Sequence, residues 1–365
     1  MPNESAINRA VRNLLQNGAG LHSATRVLIV HEPDDAGYYG AGLAKSVERA
    51  AKTLGYDIEM LECPFVPDLV EPPGRVARAM VRSDLTLFLA RMGDQIRFRP
   101  HGQDTAVAIC YALDLELLAS DFGELDHRAM RTLRDLIDRT LRGAKTIRVT
   151  CPAGTELEGS VEPQDATGDT HALRFPLSVY TPVSAVGFSG TIAQRGFLVG
   201  TGSRFYEPYA VPVEETLFIR VDKGRIAGFD GPSAETARAH YLRIAERFGV
   251  DPWVIHSWHG GIHPACAFPD RASASFERWS GGAFGNTRLL HFHTCGAYAP
   301  GEICLNLLDP TVVVNGTTIQ AAGRISADAL SGGPETLAAF GRLRRMLANP
   351  VMHCGEAPGG GLSFR

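Results

Sequence analysis

Long apolar runs are missing from this chain of 365 residues. No segment approaches the roughly 18 consecutive apolar residues that a membrane-spanning helix needs. The first residues, MPNESAINRAVRNLLQNGAG, are polar and charged, whereas a signal peptide starts with a basic stub followed by an apolar run. The sequence therefore argues against membrane insertion and secretion, and we expect a cytoplasmic location.

Cysteine is scarce, with seven residues scattered along the chain. A disulfide framework normally uses an even number of cysteines, so this odd set favours reduced thiols, as in a cytoplasm. No CxxC pair occurs, and the usual knuckle of a structural zinc site is therefore missing.

Neither sign of charge is in clear excess. The chain has 36 Lys and Arg residues against 40 Asp and Glu residues, which gives a net charge of -4. Such a charge does not concentrate nucleic acids or anionic membranes around a protein. We therefore expect no nucleic acid and no membrane as partner, and a small molecule as substrate.

The glycine motifs of nucleotide-binding folds are also missing. After the apolar run RVLIV, Gly37, Gly40 and Gly42 have the spacing GxxGxG instead of GxGxxG, and no GKS or GKT follows. A dinucleotide site or a phosphate-binding loop is not indicated here. The segment is typical of a surface loop that leads into a helix.

What the chain does contain is a change of pattern along its length. A chain of this size predicts two domains. Residues 1–150 alternate short apolar runs with amphipathic stretches, which predicts an α/β, Rossmann-like domain with a parallel sheet. Its expected helices are residues 5–17, 38–54 and 126–141, and its expected strands are residues 26–32, 57–63, 84–91 and 146–151.

Residues 151–365 predict a β-rich α+β domain that carries the metal site described below. Two turn motifs, Asp222-Lys223-Gly224 and Asn315-Gly316, separate β-branched runs in the manner of hairpins. Helices are expected at residues 233–248 and 332–349.

Histidine and tryptophan concentrate in one part of this second domain. Five of the 12 histidines and all three tryptophans lie between Trp253 and His293. Histidine is the commonest metal ligand and titrates near neutral pH, so we expect the chemistry here. If Leu289 to Thr294 is a strand, His291 and His293 point to one face and can share a metal ion.

Three further histidines, His256, His259 and His263, lie in WVIHSWHGGIHP, which we predict to be a glycine-interrupted loop close to that strand. Glu302, in PGEIC, supplies a nearby carboxylate. Neutral imidazoles with one carboxylate and open positions are found in non-haem iron sites and in several hydrolytic metal sites. Histidines that are simply hydrogen-bonded in the core are the alternative.

Two other uses of this region stay open. A structural zinc could take His263, Cys266, His293 and Cys295, although the spacings HxxC and HxC are unusual for such a site. Cys295 beside a histidine could be a nucleophile, but the sequence offers no third group to orient the pair.

Substrate-binding residues are predicted from aromatic and cationic side chains. Trp258 lies among the histidines and could stack on a flat substrate, with a core position as the alternative. Arg97 and Arg99, in RMGDQIRFRPH, carry guanidinium forks that suit a carboxylate. We expect them to bind an anionic group of the substrate, unless they are paired within their own loop.

The order of segments resembles the thermophilic aminopeptidase T-like metallopeptidase superfamily, which also contains the iron enzyme 2,5-dihydroxypyridine dioxygenase. The resemblance extends over most of the chain, and it includes GDQIRF and TIRVTCPAGTELEG in the first domain. The segments that carry it further on are ETLFIRVDKGRIAGFDG, ETARAHYLRIAERFG, HGGIHP, LLHFH and LDPTVVVNGTTI.

The resemblance implies specific metal ligands, and this chain departs from them. His259 stands where the peptidases have a metal-binding glutamate, and His291 or His293 matches the histidine of the next strand. The final His-x-Asp pair corresponds to Cys304-Leu305-Asn306, so neither of those ligands is preserved. A dinuclear peptidase site needs several carboxylates, and a single metal held by histidines is what the departure implies.

We therefore expect a mononuclear metalloenzyme that acts on a small, planar, anionic substrate. The favoured hypothesis is an Fe(II) ring-cleaving dioxygenase, with Mn(II) or Zn(II) as alternative metals. A metal-dependent hydrolase (aminopeptidase or aromatic aminohydrolase) and a non-enzymatic small-molecule-binding module are the competing hypotheses, and the resemblance implies a homodimer. The expected residues are His259, His291 and His293 as metal ligands, Glu302 as fourth ligand or proton acceptor, His256 or His263 as outer donor, and Arg97, Arg99 and Trp258 as substrate contacts.

Overall fold

The computed structural model describes residues 3–99, 106–162, 170–358 and 360–365. The chain divides into two compact units, and each is built from separate stretches of sequence. The first unit comprises Met1–Arg131, Asp169–Ser178 and Gly202–Phe205; the second comprises Thr132–Gly168, Val179–Thr201 and Tyr206–Arg365.

The α-helices of the described residues are, in chain order, α1 (Glu4–Arg12), α2 (Leu43–Thr53), α3 (Gly74–Val81), α4 (Met92–Ile96), α5 (Leu115–Leu118), α6 (Asp121–Glu124), α7 (His127–Leu141), α8 (Ala234–Phe248), α9 (Phe276–Gly282), α10 (Gly333–Ala339) and α11 (Gly341–Ala348).

The strands of the described residues are, in chain order, β1 (Arg26–His31), β2 (Asp57–Glu62), β3 (Leu85–Leu89), β4 (Ala106–Cys110), β5 (Ile147–Thr150), β6 (Glu156–Gly159), β7 (Leu173–Phe175), β8 (Val183–Ser184), β9 (Ser189–Gly200), β10 (Ala210–Asp222), β11 (Arg225–Asp230), β12 (Ile255–Gly260), β13 (Leu289–Thr294), β14 (Ile303–Leu308), β15 (Thr311–Val314), β16 (Thr317–Ala321) and β17 (Arg324–Ile325).

The first unit contains a parallel sheet with the strand order β2-β1-β3-β4-β7. Its central strands are nearly continuous apolar runs, and Val27 to Val30 of β1 are fully buried. Parallel sheets are covered on both faces, which explains why these strands lack an alternation of apolar and polar residues. The predicted α/β class with a parallel sheet is confirmed.

One predicted strand belongs to the other sheet. Residues 146–151 were expected in the parallel sheet, but β5 pairs antiparallel with β6 and with β15. A short apolar run indicates a buried strand without revealing its partner or its direction, so the sequence could not assign β5 correctly. The last strand of the parallel sheet is instead the much later β7.

The second unit contains an antiparallel sheet with the order β17-β16-β15-β5-β6-β9-β14-β13-β12-β8, and β10 pairs with β9 and β11. Both predicted hairpins are present. Lys223 and Gly224 join β10 to β11, and Asn315 and Gly316 join β15 to β16, all with positive φ angles of 46 to 81°. Type I′ turns require such angles at both central residues.

Three helix predictions need correction. The helix expected over residues 38–54 begins only at Leu43. The first helix was expected over residues 5–17, but α1 ends at Arg12 and the chain continues as a π-helical turn, Asn13–Gly18. The closing helix, expected over residues 332–349, is interrupted at Phe340, where φ is -117° and ψ is 72°. Helix α8 lies where residues 233–248 predicted it.

The seven cysteines are free thiols, and six of them are buried. Among the described residues, no helix combines the length and the apolar character that crossing a membrane requires.

Candidate metal centre

Three neighbouring strands of the second unit bring a set of polar side chains to one face of the sheet. Strand β13 lies between β12 and β14, and its register places His291 opposite both His259 and Asn306. In the same way His293 lies opposite both Ser257 and Cys304. Directly opposed residues of an antiparallel sheet project from the same face, so these side chains form two adjacent rows.

His259, His291 and His293 form a compact cluster on this face. All three are at most 5% exposed, and one ring nitrogen from each lies within 4.8 Å of the others. Their ring centroids are 4.4 Å (His259 to His291), 4.9 Å (His291 to His293) and 5.1 Å (His259 to His293) apart. The structure thus brings together the three histidines that the sequence predicted as metal ligands.

The orientation of two of these rings is fixed by hydrogen bonds at Nδ1. His259 Nδ1 lies 2.7 Å from the main-chain oxygen of Tyr180. A carbonyl can only accept, so this nitrogen carries the proton and Nε2 keeps its lone pair. His293 Nδ1 hydrogen-bonds to Ser257 Oγ at 3.0 Å. Metal-binding histidines almost always have such a partner on the second ring nitrogen, and the donor set therefore fits a divalent metal ion.

A β-bulge positions His256 beside this cluster. Ile255 and Ser257 face the consecutive residues Thr294 and His293, so His256 is the extra residue on its strand. Bulges redirect side chains and are frequent next to active sites. His256 Nδ1 lies 2.8 Å from Ser257 Oγ, which links His256 to His293 through one hydroxyl group. Burial lowers the pKa of His256 and favours its neutral form. Its role as an outer donor stays a prediction.

The segment WVIHSWHGGIHP was expected to be a loop, but its middle part is the strand β12. Both faces of this strand are buried, and the bulge at His256 shifts its period, so no simple alternation is visible in the sequence. Gly261 follows the strand at a place where a Cβ atom would lie 2.0 Å from the Asn286 oxygen. Only glycine fits this close approach.

Trp258 stands on the opposite face of β12 from the histidines. Its side chain is fully buried and packs against Tyr180, Phe188 and Phe292, with ring centroids 5.5 to 6.3 Å apart. Successive side chains of a strand point to opposite faces, so Trp258 faces away from the histidines. This is the core position that the sequence left open as the alternative, and a substrate contact by Trp258 stays a prediction.

His263 and Glu302 are both buried and lie close to the three histidines in the sequence, but they are not members of the cluster. Among the described residues, the group of potential ligands within 4.8 Å of one another contains neither of them. His263 Nδ1 accepts a hydrogen bond from the Ala265 backbone N–H at 3.2 Å. Glu302 follows the chain reversal after β13. Its backbone N–H donates to the main-chain oxygen of Thr294, and its main-chain oxygen accepts a hydrogen bond from the Tyr206 hydroxyl. Their catalytic roles stay predictions.

The cysteine alternatives have little support in the structure. Cys266 Sγ donates to the Gly282 oxygen, and burial raises the pKa of Cys266 far above its usual range. Burial, together with the charge of Glu302, raises the pKa of Cys295 to about 12. Nucleophilic attack needs a thiolate, which these surroundings disfavour. Among the described residues, the group of potential metal ligands that lie together contains neither cysteine.

The two predicted substrate-binding arginines lie in the first unit. Arg97 is buried and donates to Asp94, at 2.9 Å to its main-chain oxygen and 3.0 Å to Oδ1. Arg99 is exposed and pairs with Glu71 at 3.0 Å. Arg97 is therefore paired within its own loop, which is the alternative that the sequence left open, whereas the partner of Arg99 lies 28 residues earlier in the chain. Binding of a substrate anion by Arg97 and Arg99 stays a prediction.

Four residues near the histidines were not predicted as part of the site. Ser257 and Tyr180 orient two of the rings, and Asn306 lies opposite His291. The half-buried Phe284 stacks on the His291 ring, with centroids 4.1 Å apart and an interplanar angle of 21°. Only Asn306 had a signal in the sequence, because the resemblance matches it to the aspartate of the His-x-Asp pair; its place beside His291 depends on the pairing of β13 with β14.

Comparisons with known proteins support this description of the fold. No family model and no curated protein matches the chain. Among solved structures, the chain is similar to 2,5-dihydroxypyridine dioxygenase from Pseudomonas putida KT2440. The likeness has a TM-score of 0.57 at 14% identity and covers 89% of this chain and 98% of the other.

The fold is thus shared with this dioxygenase. A second similar structure is wild-type AmpT from Thermus thermophilus, with a TM-score of 0.48, 11% identity and coverage of 88% and 99%. At 14% identity the likeness to the dioxygenase describes the fold alone, and the function has to be argued from the site.

Proposed function

We propose that this chain is a mononuclear metalloenzyme whose ion is bound by ring nitrogens of His259, His291 and His293. The observation that carries the proposal is the buried cluster of three imidazoles, two of which are oriented by hydrogen bonds at Nδ1. Buried histidines that serve only the core have no need to converge, whereas ligands of one ion must. Three protein ligands also leave coordination positions for a substrate and a second molecule.

The favoured metal is Fe(II), with Mn(II) or Zn(II) as alternatives. Imidazole binds all of these ions, and the donor set does not by itself discriminate among them. When bound, the ion supplies an acidic centre that polarises oxygen ligands and, if it is iron, a site for molecular oxygen.

We further propose that the reaction is the oxidative cleavage of a small planar ring that carries hydroxyl or carboxylate oxygens. The shared fold with 2,5-dihydroxypyridine dioxygenase and the nitrogen-rich site support this choice. In this proposal Tyr180 and Ser257 keep two histidine rings in place, while Phe284 provides an aromatic wall beside His291. The buried carboxyl group of Glu302 is proposed to take up the substrate's hydroxyl proton.

A hydrolase is the second candidate, because the same donor set also suits hydrolytic chemistry. Three histidines are also the ligands with which catalytic zinc activates a water molecule. A hydrolytic enzyme would therefore use the same cluster with Zn(II) and would need no oxygen.

Oxygen uptake separates the two candidates. The purified chain is loaded anaerobically with Fe(II) or with Zn(II) and mixed with 2,5-dihydroxypyridine in an oxygen electrode. Separate samples receive amino acid amides and aromatic amines, and released amino acid or ammonia is measured. We expect oxygen uptake with Fe(II) and none with Zn(II). Hydrolysis with Zn(II) and no oxygen uptake would support the hydrolase, and tight binding without turnover would support a binding module.

A further inference from the structure

Asn306 lies on the histidine face of the sheet, in the row that contains His259 and His291. The register pairs His259 with His291 across β12 and β13, and His291 with Asn306 across β13 and β14. Opposed residues in neighbouring antiparallel strands have Cβ atoms about 5 Å apart. The carboxamide of Asn306 is therefore on the same face as the cluster and one strand away from it.

The side chain of Asn306 has no hydrogen-bond partner within the described part of the chain, at either Nδ2 or Oδ1, although the residue is only 3% exposed. Burying a carboxamide in this way is unfavourable, because both of its polar atoms lose their hydrogen bonds to water. Buried polar groups in folded proteins almost always have a hydrogen-bond partner, and a bound ligand would supply the one that Asn306 lacks among the described residues.

The backbone at Asn306 is well fixed, so the orphaned amide is not a sign of a loose strand. Its backbone N–H donates to Gln194 Oε1 at 2.6 Å. Gln194 is itself fully buried, and its Nε2 donates to the Phe197 oxygen at 2.8 Å. Gln194 thus supports β14 beyond its last pair with β9, Cys304 with Val199. The strand holds the amide in position and leaves its two polar atoms available.

We propose that the Asn306 carboxamide binds the ligand that occupies the three-histidine centre. This inference rests on the proposed function, since it takes the histidine cluster as the place where the ligand meets a metal ion. Nδ2 donates to an oxygen of the ligand, and Oδ1 accepts from an N–H or O–H group next to that oxygen.

The amide and the histidines together define a class of ligand. Three neutral imidazoles leave the charge of a divalent ion uncompensated by its ligands, so an anionic oxygen ligand is favoured there. Oδ1 of Asn306 can only accept a hydrogen bond, so the ligand must also carry a donor next to its chelating oxygen. The class is therefore an anionic oxygen chelator with an adjacent N–H or O–H group, such as a hydroxamate or a ring that carries a hydroxyl beside a protonated nitrogen.

Two simple chelators test this inference without any assay of turnover. The full chain is loaded with Co(II), whose visible spectrum reports ligand binding, and titrated with acetohydroxamate or oxalate. Both chelate through oxygen, but only acetohydroxamate carries an N–H donor. We expect Asn306→Leu to weaken acetohydroxamate binding by about tenfold or more, and oxalate binding by less. Affinity for Co(II) alone should change by less than about threefold, since all three imidazole ligands are retained.

A matched control is Thr86→Val in the parallel sheet. Its hydroxyl is also fully buried and without a hydrogen-bond partner among the described residues, and its removal should leave both titrations unchanged. Thermal unfolding of the metal-free proteins adds a second reading. Asn306→Leu should be at least as stable as the parent chain, because it removes an unsatisfied buried amide. Asn306→Ala is titrated in parallel, so that a folding defect of one variant does not decide the result.

The outcomes are distinguishable. Unchanged affinity for acetohydroxamate in both variants overturns the inference while the metal site stands. A loss of Co(II) affinity as large as in His291→Ala makes Asn306 a metal ligand and overturns it as well. If the loaded parent chain binds neither chelator, the inference is wrong; if the parent chain binds no Co(II), the proposed function fails together with it.

Discussion

The Nδ1 atom of His259 donates a hydrogen bond of 2.7 Å to the main-chain oxygen of Tyr180. This contact fixes the tautomer of His259, so that Nε2 presents its lone pair on the face shared with His291 and His293. A backbone acceptor is available in every conformation of the Tyr180 side chain, and the orientation is therefore built into the fold. The cluster of three histidines is the centre of the proposed metal site.

The Ser257 hydroxyl forms hydrogen bonds with both His256 and His293. Its removal tests whether Ser257 orients the His293 ring for metal binding. In Ser257→Ala, His293 loses the hydrogen bond at Nδ1 and its link to His256. Because partners of this kind orient the ring and raise its basicity, we expect metal affinity to fall by about 10- to 100-fold. Competition with a chromophoric chelator measures this affinity. The control is Ser184→Ala, on the neighbouring strand opposite Ser257; equal affinities of both variants and the parent would contradict the role of Ser257.

Trp258 is expected to stabilise the fold without contacting the ligand. Trp258→Ala should lower the free energy of unfolding by about 3–5 kcal/mol, because a fully buried indole is replaced by a cavity. Trp258→Phe should cost much less, since it keeps most of the packing and removes an indole N–H that has no hydrogen-bond partner among the described residues. Denaturant unfolding measures both, and KM is compared for Trp258→Phe. A large rise in the KM of Trp258→Phe at unchanged stability would contradict this expectation and support a substrate contact by Trp258.

His240 makes stability depend on pH. Burial, and then the charge of Arg243, lowers the pKa of His240 to about 4 from an ordinary 6.5, and Arg243 donates to His240 Nδ1. The unfolded chain therefore binds the proton on His240 more readily than the folded chain does. The folded state is stabilised by the neutral ring fully above about pH 6.5, and this contribution is lost as the pH falls towards 4. The free energy of unfolding changes by up to about 3 kcal/mol over this pH range. Unfolding free energies at pH 4.5 and 7.5 should differ less in His240→Gln than in the parent; equal differences would contradict the assignment.

Local patterns in the sequence predicted those parts of the fold that local chemistry determines. The strand Leu289–Thr294 has the predicted bounds, and its period of two places His291 and His293 on one face. The two hairpins follow from residues that tolerate positive φ angles, Lys223-Gly224 and Asn315-Gly316.

Other features depend on contacts between distant parts of the chain and could not be predicted. The partners of β5 are set by segments that follow it in sequence, and the pairing of His259 with His291 joins two strands about 30 residues apart. The bulge at His256 conceals β12, since it breaks the alternation on which strand prediction depends. The position of Asn306 gains meaning only when its strand is known to lie beside β13.

Metal analysis tests the central claim most directly. The parent chain, the double variant His291→Ala with His293→Ala, and His240→Gln are purified without added metal, incubated with limiting Fe(II) or Zn(II), desalted and analysed by mass spectrometry of the elements. His240 is a buried histidine of the same unit outside the cluster. We expect about one ion per chain in the parent and in His240→Gln, and almost none in the double variant. Equal metal content in all three proteins would contradict the account.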